Sequence, residues 1–159
     1  MVLQLLTILG CMTIAYQDIK DRMVNWVLFP IVGFLLGFLY LQQTSMTIFA
    51  LNVGANIGIV CTVIFLLWVY TKFIRKQDFL NASFGLGDIL VLCAFALGFP
   101  TVTFIVLLAS SLCFSVLAFI VLNYFTNTRT VPLAGFICLF LTYILLFSRL
   151  PGFVSLYHM

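Results

Sequence analysis

Six runs of apolar residues alternate with short polar breaks along this chain: Val2 to Gln17, Trp26 to Leu41, Met46 to Thr71, Phe79 to Phe99, Thr101 to Phe125 and Val131 to Phe147. Crossing a bilayer takes about 20 consecutive apolar residues in a helix. The runs therefore predict six transmembrane helices, and the breaks between them are too short to hold a soluble domain. The expected fold is all-α: a polytopic membrane protein whose residues 1–159 form a single six-helix transmembrane domain.

Two runs have lengths that carry further information. Val2 to Gln17 makes roughly 24 Å of helix against a hydrocarbon core of about 30 Å, so either the bilayer thins or the helix continues into Asp18, which is held at the membrane edge. In the fourth run, Ile89 to Phe99 is too short to cross, and counting from Phe79 puts Asp88 near the middle. Gly85 and Gly87 disfavour a continuous helix there, each costing about 1 kcal/mol relative to Ala. The chain is expected to enter non-helically, turn at the glycines with positive φ at Gly87, and start a short helix near Asp88. Irregular backbone at membrane depth is tolerated only against protein or a water-filled cavity.

Composition agrees: 65% of residues are hydrophobic and 7% charged, and the mean hydropathy is +1.29. A soluble globular domain is excluded. The net charge of +3 is too small and too scattered for a nucleic-acid partner. The basic residues instead report orientation. Lys20 and Arg22 lie in the first break, Lys72, Arg75 and Lys76 in the third, and Arg129 in the fifth; the second and fourth breaks hold none. The positive-inside rule makes the first, third and fifth breaks cytoplasmic and puts both termini outside, with Arg149 the one basic residue against the trend.

The first run has no basic residue before it and no small-residue cleavage site after it, so it reads as a retained helix and not a signal peptide. The five cysteines fall singly in separate runs, which suits small buried hydrophobes better than zinc or disulfide frameworks. Gly33-x-x-x-Gly37 and Gly54-x-x-x-Gly58 predict close helix packing, and Asn52 and Asn56 hydrogen bonds across helices. Trp26 reads as an interfacial anchor, and His158 as part of a solvated tail.

Asp18 and Asp88 are the acids best placed on the apolar runs, both toward the predicted cytoplasmic face. An ionised side chain at mid-membrane costs roughly 2.5 kcal/mol or more, so such a residue is a functional candidate by default. Two carboxylates sharing a site do not both ionise easily; one holds its proton while the other is free to accept one. That asymmetry is what peptide hydrolysis requires, a base for the attacking water and an acid for the carbonyl oxygen. Glycines ahead of Asp88 open backbone angles closed to other residues and let a second main chain approach. Gly-x-Gly-Asp is also compatible with a capped turn, and Asp18 to Arg22 with an ordinary juxtamembrane segment. Asp21 and Asp78, beside basic residues, read as solvated loop acids.

Ala15-Tyr16-Gln17-Asp18-Ile19-Lys20-Asp21-Arg22, followed after two more spans by Phe84-Gly85-Leu86-Gly87-Asp88-Ile89-Leu90, resembles the type IV prepilin peptidases, a family of GxGD intramembrane aspartyl proteases. The resemblance extends to the six spans, to Gly98 and to Val131-Pro132-Leu133-Ala134 at the start of the sixth run. It implies an aspartic endopeptidase of the bacterial cytoplasmic membrane that removes the short basic leader from pilin-like precursors. Asp18 and Asp88 would be the catalytic pair, Gly85 and Gly87 would shape the backbone for substrate, and no cofactor or metal is expected. With no room between the spans for the methyltransferase domain and its zinc site, the likeness is to the short forms. Three positions depart from the family's common pattern: Val24-Asn25 stand for Ile-Pro, Leu90 for Lys, and Gly135 for a second Pro. These bear on substrate identity more than on the pair. Two other functions fit an intramembrane acid pair, a catalytically idle relative that binds pilin-like helices and an ion or proton pathway.

Overall fold

The computed structural model describes residues 2–75, 85–126, 132–148 and 156–157. They form six α-helices: α1 (Val2–Asp21), α2 (Leu28–Leu41), α3 (Met46–Tyr70), α4 (Leu86–Ala96), α5 (Thr101–Thr126) and α6 (Leu133–Phe147). A π-helical turn, Thr71–Arg75, prolongs α3. Among the described residues three helices are long and apolar enough to cross a membrane, namely Val2–Asp21, Met46–Phe73 and Thr101–Tyr124. The other three, α2, α4 and α6, have 14, 11 and 15 residues, fewer than the ~20 a crossing takes. The expectation of six full-length spans thus holds for the number of helices and not for their lengths.

Local chemistry sets the ends. Helix α1 runs past Asp18 to Asp21, one of the two outcomes its short apolar run allowed, and stops where Arg22 takes the left-handed conformation at φ 55°, a usual way to end a helix. The chain then turns, with the Gln17 side chain accepting from the Asn25 amide at 3.2 Å. Pro30 sits in the first turn of α2 and Pro100 just before α5, positions where the missing N–H costs no helix bond. Within the helices Thr7, Thr62, Thr71, Ser110, Ser115 and Thr142 donate to carbonyls one turn back, which spares apolar surroundings an unsatisfied hydroxyl.

Packing fixes the directions. Gln4 near the start of α1 donates to the Leu145 carbonyl and Ser148 hydroxyl at the end of α6, while Asp18 near the end of α1 meets the start of α6. The two helices are antiparallel and share the most extensive contact in the bundle. Phe29 of α2 meets Gly87 of α4, and Leu36 meets Gly98 beyond α4, so α2 and α4 run parallel. Contacts of Asn52 with Thr101 and of Asn56 with the α4 C-terminus orient α3 and α5. Helices α1, α3 and α5 consequently point one way and α2, α4 and α6 the other. The core they enclose includes Cys11, Ile14, Leu36, Phe95, Phe99, Ile137 and Cys138, all fully buried. The phenylalanines divide between core and surface, with Phe29, Phe95, Phe99 and Phe104 buried and Phe34, Phe65 and Phe73 on the outer surface.

Two small-residue motifs behave differently. A side chain on Gly33 would meet the Cα and Cβ of Ala94 at 3.2 Å, and Gly37 lies against Leu97; this pair packs α2 closely on α4, as expected. Gly54 and Gly58 have nothing within 4 Å of an added Cβ, which overturns the expectation for them. They lie on an outward face of α3, whose inward face is set by Asn56 and Val60. The asparagines do bridge helices. Asn52 donates to the Tyr40 hydroxyl at 2.6 Å and accepts from Thr101 at 3.0 Å, and Asn56 donates to the carbonyls of Ala96 and Phe99 at 3.0 and 2.9 Å. Of the cysteines only Cys11 and Cys138 are buried; Cys61, Cys93 and Cys113 are exposed on the bundle, correcting the uniform reading as core residues.

Candidate active site

Helix α4 starts two residues before Asp88. Its cap is Gly85, in extended conformation at φ −74° and ψ 142°, and the Asp88 carboxylate folds back to accept from the Gly85 amide at 3.3 Å. This is the acidic half of a capping box, in which the third helical residue satisfies the amide of the cap. An added Cβ on Gly85 would stand 3.1 Å from Asp88 Oδ2, so glycine here makes room for the carboxylate. The expected helix start near Asp88 is observed, and the non-helical entry before it lies outside the described residues.

Gly87 corrects the reading of backbone shape. It lies inside α4 with helical backbone and no positive φ, and its missing side chain faces Phe29 Cζ at 3.4 Å. Its smallness serves the α2–α4 contact. The reason is that the helix begins earlier than a turn at both glycines would allow, leaving only Gly85 in extended conformation.

Helix α6 joins the two acids. Pro132 caps it, and the N–H groups of a helix's first turn have no partner within the helix. Ala134 donates its amide to Asp88 Oδ1 at 3.0 Å, and Gly135 donates the next amide to Asp18 Oδ2 at 2.6 Å. Consecutive amides of one helix start therefore hold carboxylates from α1 and α4, where the helix dipole favours negative charge. Asp18 lies within electrostatic reach of Asp88. Both carboxylates are half-buried, shielded from bulk water yet not sealed.

Gly135 is fitted to this contact in two ways. A Cβ on it would lie 3.1 Å from both Cβ and Oδ2 of Asp18 and 3.4 Å from the Ala15 carbonyl oxygen, and its N–H is the donor that a proline at this position would lack. The sequence marks Gly135 only as a departure from a family pattern, and neither amide stands out in it as a donor to the acids. The available signal was Pro132 ahead of an apolar run, which marks a helix start and hence a set of free N–H groups.

Asp21 ends α1 on the exposed surface, and Asp78 lies outside the described residues. Lys20 turns back on its own helix, donating to the Tyr16 hydroxyl at 2.9 Å. Chemically, the site offers two carboxylates held by consecutive amides of one helix start, near enough for each to feel the other's charge.

No family model, no curated protein and no solved structure matches this chain.

Proposed function

We propose that this protein is an intramembrane aspartyl endopeptidase that removes the basic leader from type IV pilin-like precursors at the cytoplasmic face of the bacterial membrane. The observation that carries the reading is the pairing of Asp18 with Asp88 on the consecutive amides of Gly135 and Ala134. In the proposed reaction the ionised carboxylate takes a proton from a water as its oxygen attacks the scissile carbonyl. The protonated carboxyl gives its proton to the carbonyl oxygen, producing a neutral tetrahedral diol. Collapse of the diol returns a proton from one hydroxyl to the pair and delivers one to the leaving amine, so that water is consumed and the starting protonation restored. The short helix α4 and the glycine cap before it hold one acid of the pair at the end of the bundle where a leader would arrive.

The same reading includes six membrane passages with both termini outside. Lys20, in the last turn of α1, and Lys72, in the turn that prolongs α3, lie at helix ends on the Asp18 side, which supports a cytoplasmic position for that end. A basic precursor leader and the anionic leaflet surface would lie at the same face. No cofactor or metal enters this chemistry.

The deciding experiment incubates membranes containing the protein with tritopic candidate precursors, each having a basic leader, a hydrophobic helix and a downstream tag. Release of the leader with a single cut identifies the peptidase. Tight retention of uncut precursor indicates a binding protein, and a proton flux dependent on the two aspartates without cleavage indicates a proton pathway.

A further inference from the structure

We propose that Cys11 and Cys138 form a peroxide-sensitive dithiol, whose disulfide fastens α1 to α6 and slows the acid pair. Helices α1 and α6 are antiparallel, so facing residues follow one register along them. Gln4 meets Leu145 and Ala15 meets Gly135, and the same register places Cys11 opposite Cys138. Both are fully buried, and their thiols are hydrogen-bonded to one another. The two helices approach as closely as a cross-link needs. An added Cβ on Gly135 would stand 3.1 Å from the Cβ of Asp18, nearer than the ~3.5–4.5 Å between the Cβ atoms of a disulfide.

The oxidant must be small enough to follow water. Asp18 lies within electrostatic reach of the Cys138 thiol, and the half-buried acids keep that end of the bundle in contact with solvent, so hydrogen peroxide has a route that larger reagents lack. The Cys138 sulfur attacks one peroxide oxygen, the O–O bond breaks, and the departing hydroxide leaves with the thiol proton as water, giving a sulfenic acid. The Cys11 sulfur then attacks the sulfenic sulfur, the S–O bond breaks, and the hydroxide leaves with the Cys11 proton as a second water. The thiols have lost two electrons to the peroxide, and a dithiol reductant reverses the change by thiol–disulfide exchange. Bond formation draws the sulfurs from non-bonded contact to bonding distance within a close-packed core, which transmits the movement. Cys138 lies one turn beyond the start of α6, where α1 and α4 bring their acids together, so the movement reaches the pair.

The dithiol stands without the peptidase reading, whereas its effect on cleavage rests on it, and two readouts keep them apart. In the full-length protein with the exposed Cys61, Cys93 and Cys113 replaced by alanine, hydrogen peroxide should remove two hydrogens from the intact mass and link the peptides that contain Cys11 and Cys138. Cys11→Ala and Cys138→Ala should each abolish the link. No link at peroxide doses that oxidise Cys61 in the unsubstituted protein overturns the proposal. In precursor cleavage, peroxide should lower kcat at least about tenfold, since small displacements of reacting groups are costly, and dithiothreitol should restore it. Cys11→Ala should cleave at the reduced protein's rate with or without peroxide. A linked protein of unchanged kcat, or equal inhibition of Cys11→Ala, overturns the control of the acid pair. Reduced wild-type protein that cuts no precursor overturns the peptidase reading and that control with it, while the mass measurement still decides the dithiol.

Discussion

Gly135 donates its backbone N–H to Asp18 at 2.6 Å across 117 residues of sequence. The neighbouring amide of Ala134 does the same for Asp88 at 3.0 Å, so the geometry of the acid pair depends on a helix that contributes no acid. Mutational effects at the site should follow from this shared support.

Asp18→Asn and Asp88→Asn should each lower precursor cleavage by about 10²- to 10⁴-fold, the usual worth of a positioned acid or base. The double variant should be scarcely worse than either single one, because members of one catalytic unit do not contribute additively. Asp21→Asn, at an exposed helix end, should remain active. The wild-type rate should fall on both sides of a pH optimum, and the two limbs belong to the pair, not to either residue. Cleavage assays in membranes across pH check all of these, and substantial activity in either single aspartate variant excludes the dyad.

Orientation follows from the basic residues. Membrane-impermeant thiol labelling of single cysteines, placed in a background without the native ones, should find residue 43 accessible from outside. Residue 20 should be labelled only once the membrane is opened. A cytoplasmic residue 43 would turn the acid pair away from the leader of a precursor and defeat the peptidase reading.

Packing at the glycines should divide along the observed contacts. Gly33→Ala forces its methyl against the backbone of Ala94 at 3.2 Å and should destabilise the protein by about 1–3 kcal/mol, as overpacking does. Gly54→Ala and Gly58→Ala meet open space and should be neutral or stabilising by up to about 1 kcal/mol through helix propensity. Thermal unfolding of the three variants in one detergent compares them directly.

Asn56 is fully buried and donates to two carbonyls at the C-terminal end of α4, those of Ala96 and Phe99. Asn56→Ala leaves both acceptors without this donor and should cost about 1–3 kcal/mol. The same unfolding assay should show the loss, and a wild-type midpoint would mean that the clamp contributes nothing to stability.

The apolar runs by themselves determined that the described residues are helical, gave the number of helices among them and placed most of their ends within a few residues, the fourth run excepted, because uninterrupted apolar surface leaves the backbone no other way to satisfy its hydrogen bonds. The shortness of its run pointed to Asp18 as a continuation of helix α1, and Gly85 with Asp88 marked the start of α4. Sequence also singled out the two acids, since charge is costly beside so much hydrocarbon. What joins them was beyond its reach. Backbone amides are common to every residue, and only the antiparallel contact of α1 with α6 brings those of Ala134 and Gly135 to carboxylates from elsewhere in the chain. Tertiary structure likewise decided that Gly33 faces Ala94 while Gly54 and Gly58 face outward, and that Gly87 is helical against Phe29. A local motif specifies what a residue is capable of, whereas its partner is set by how six helices share one core.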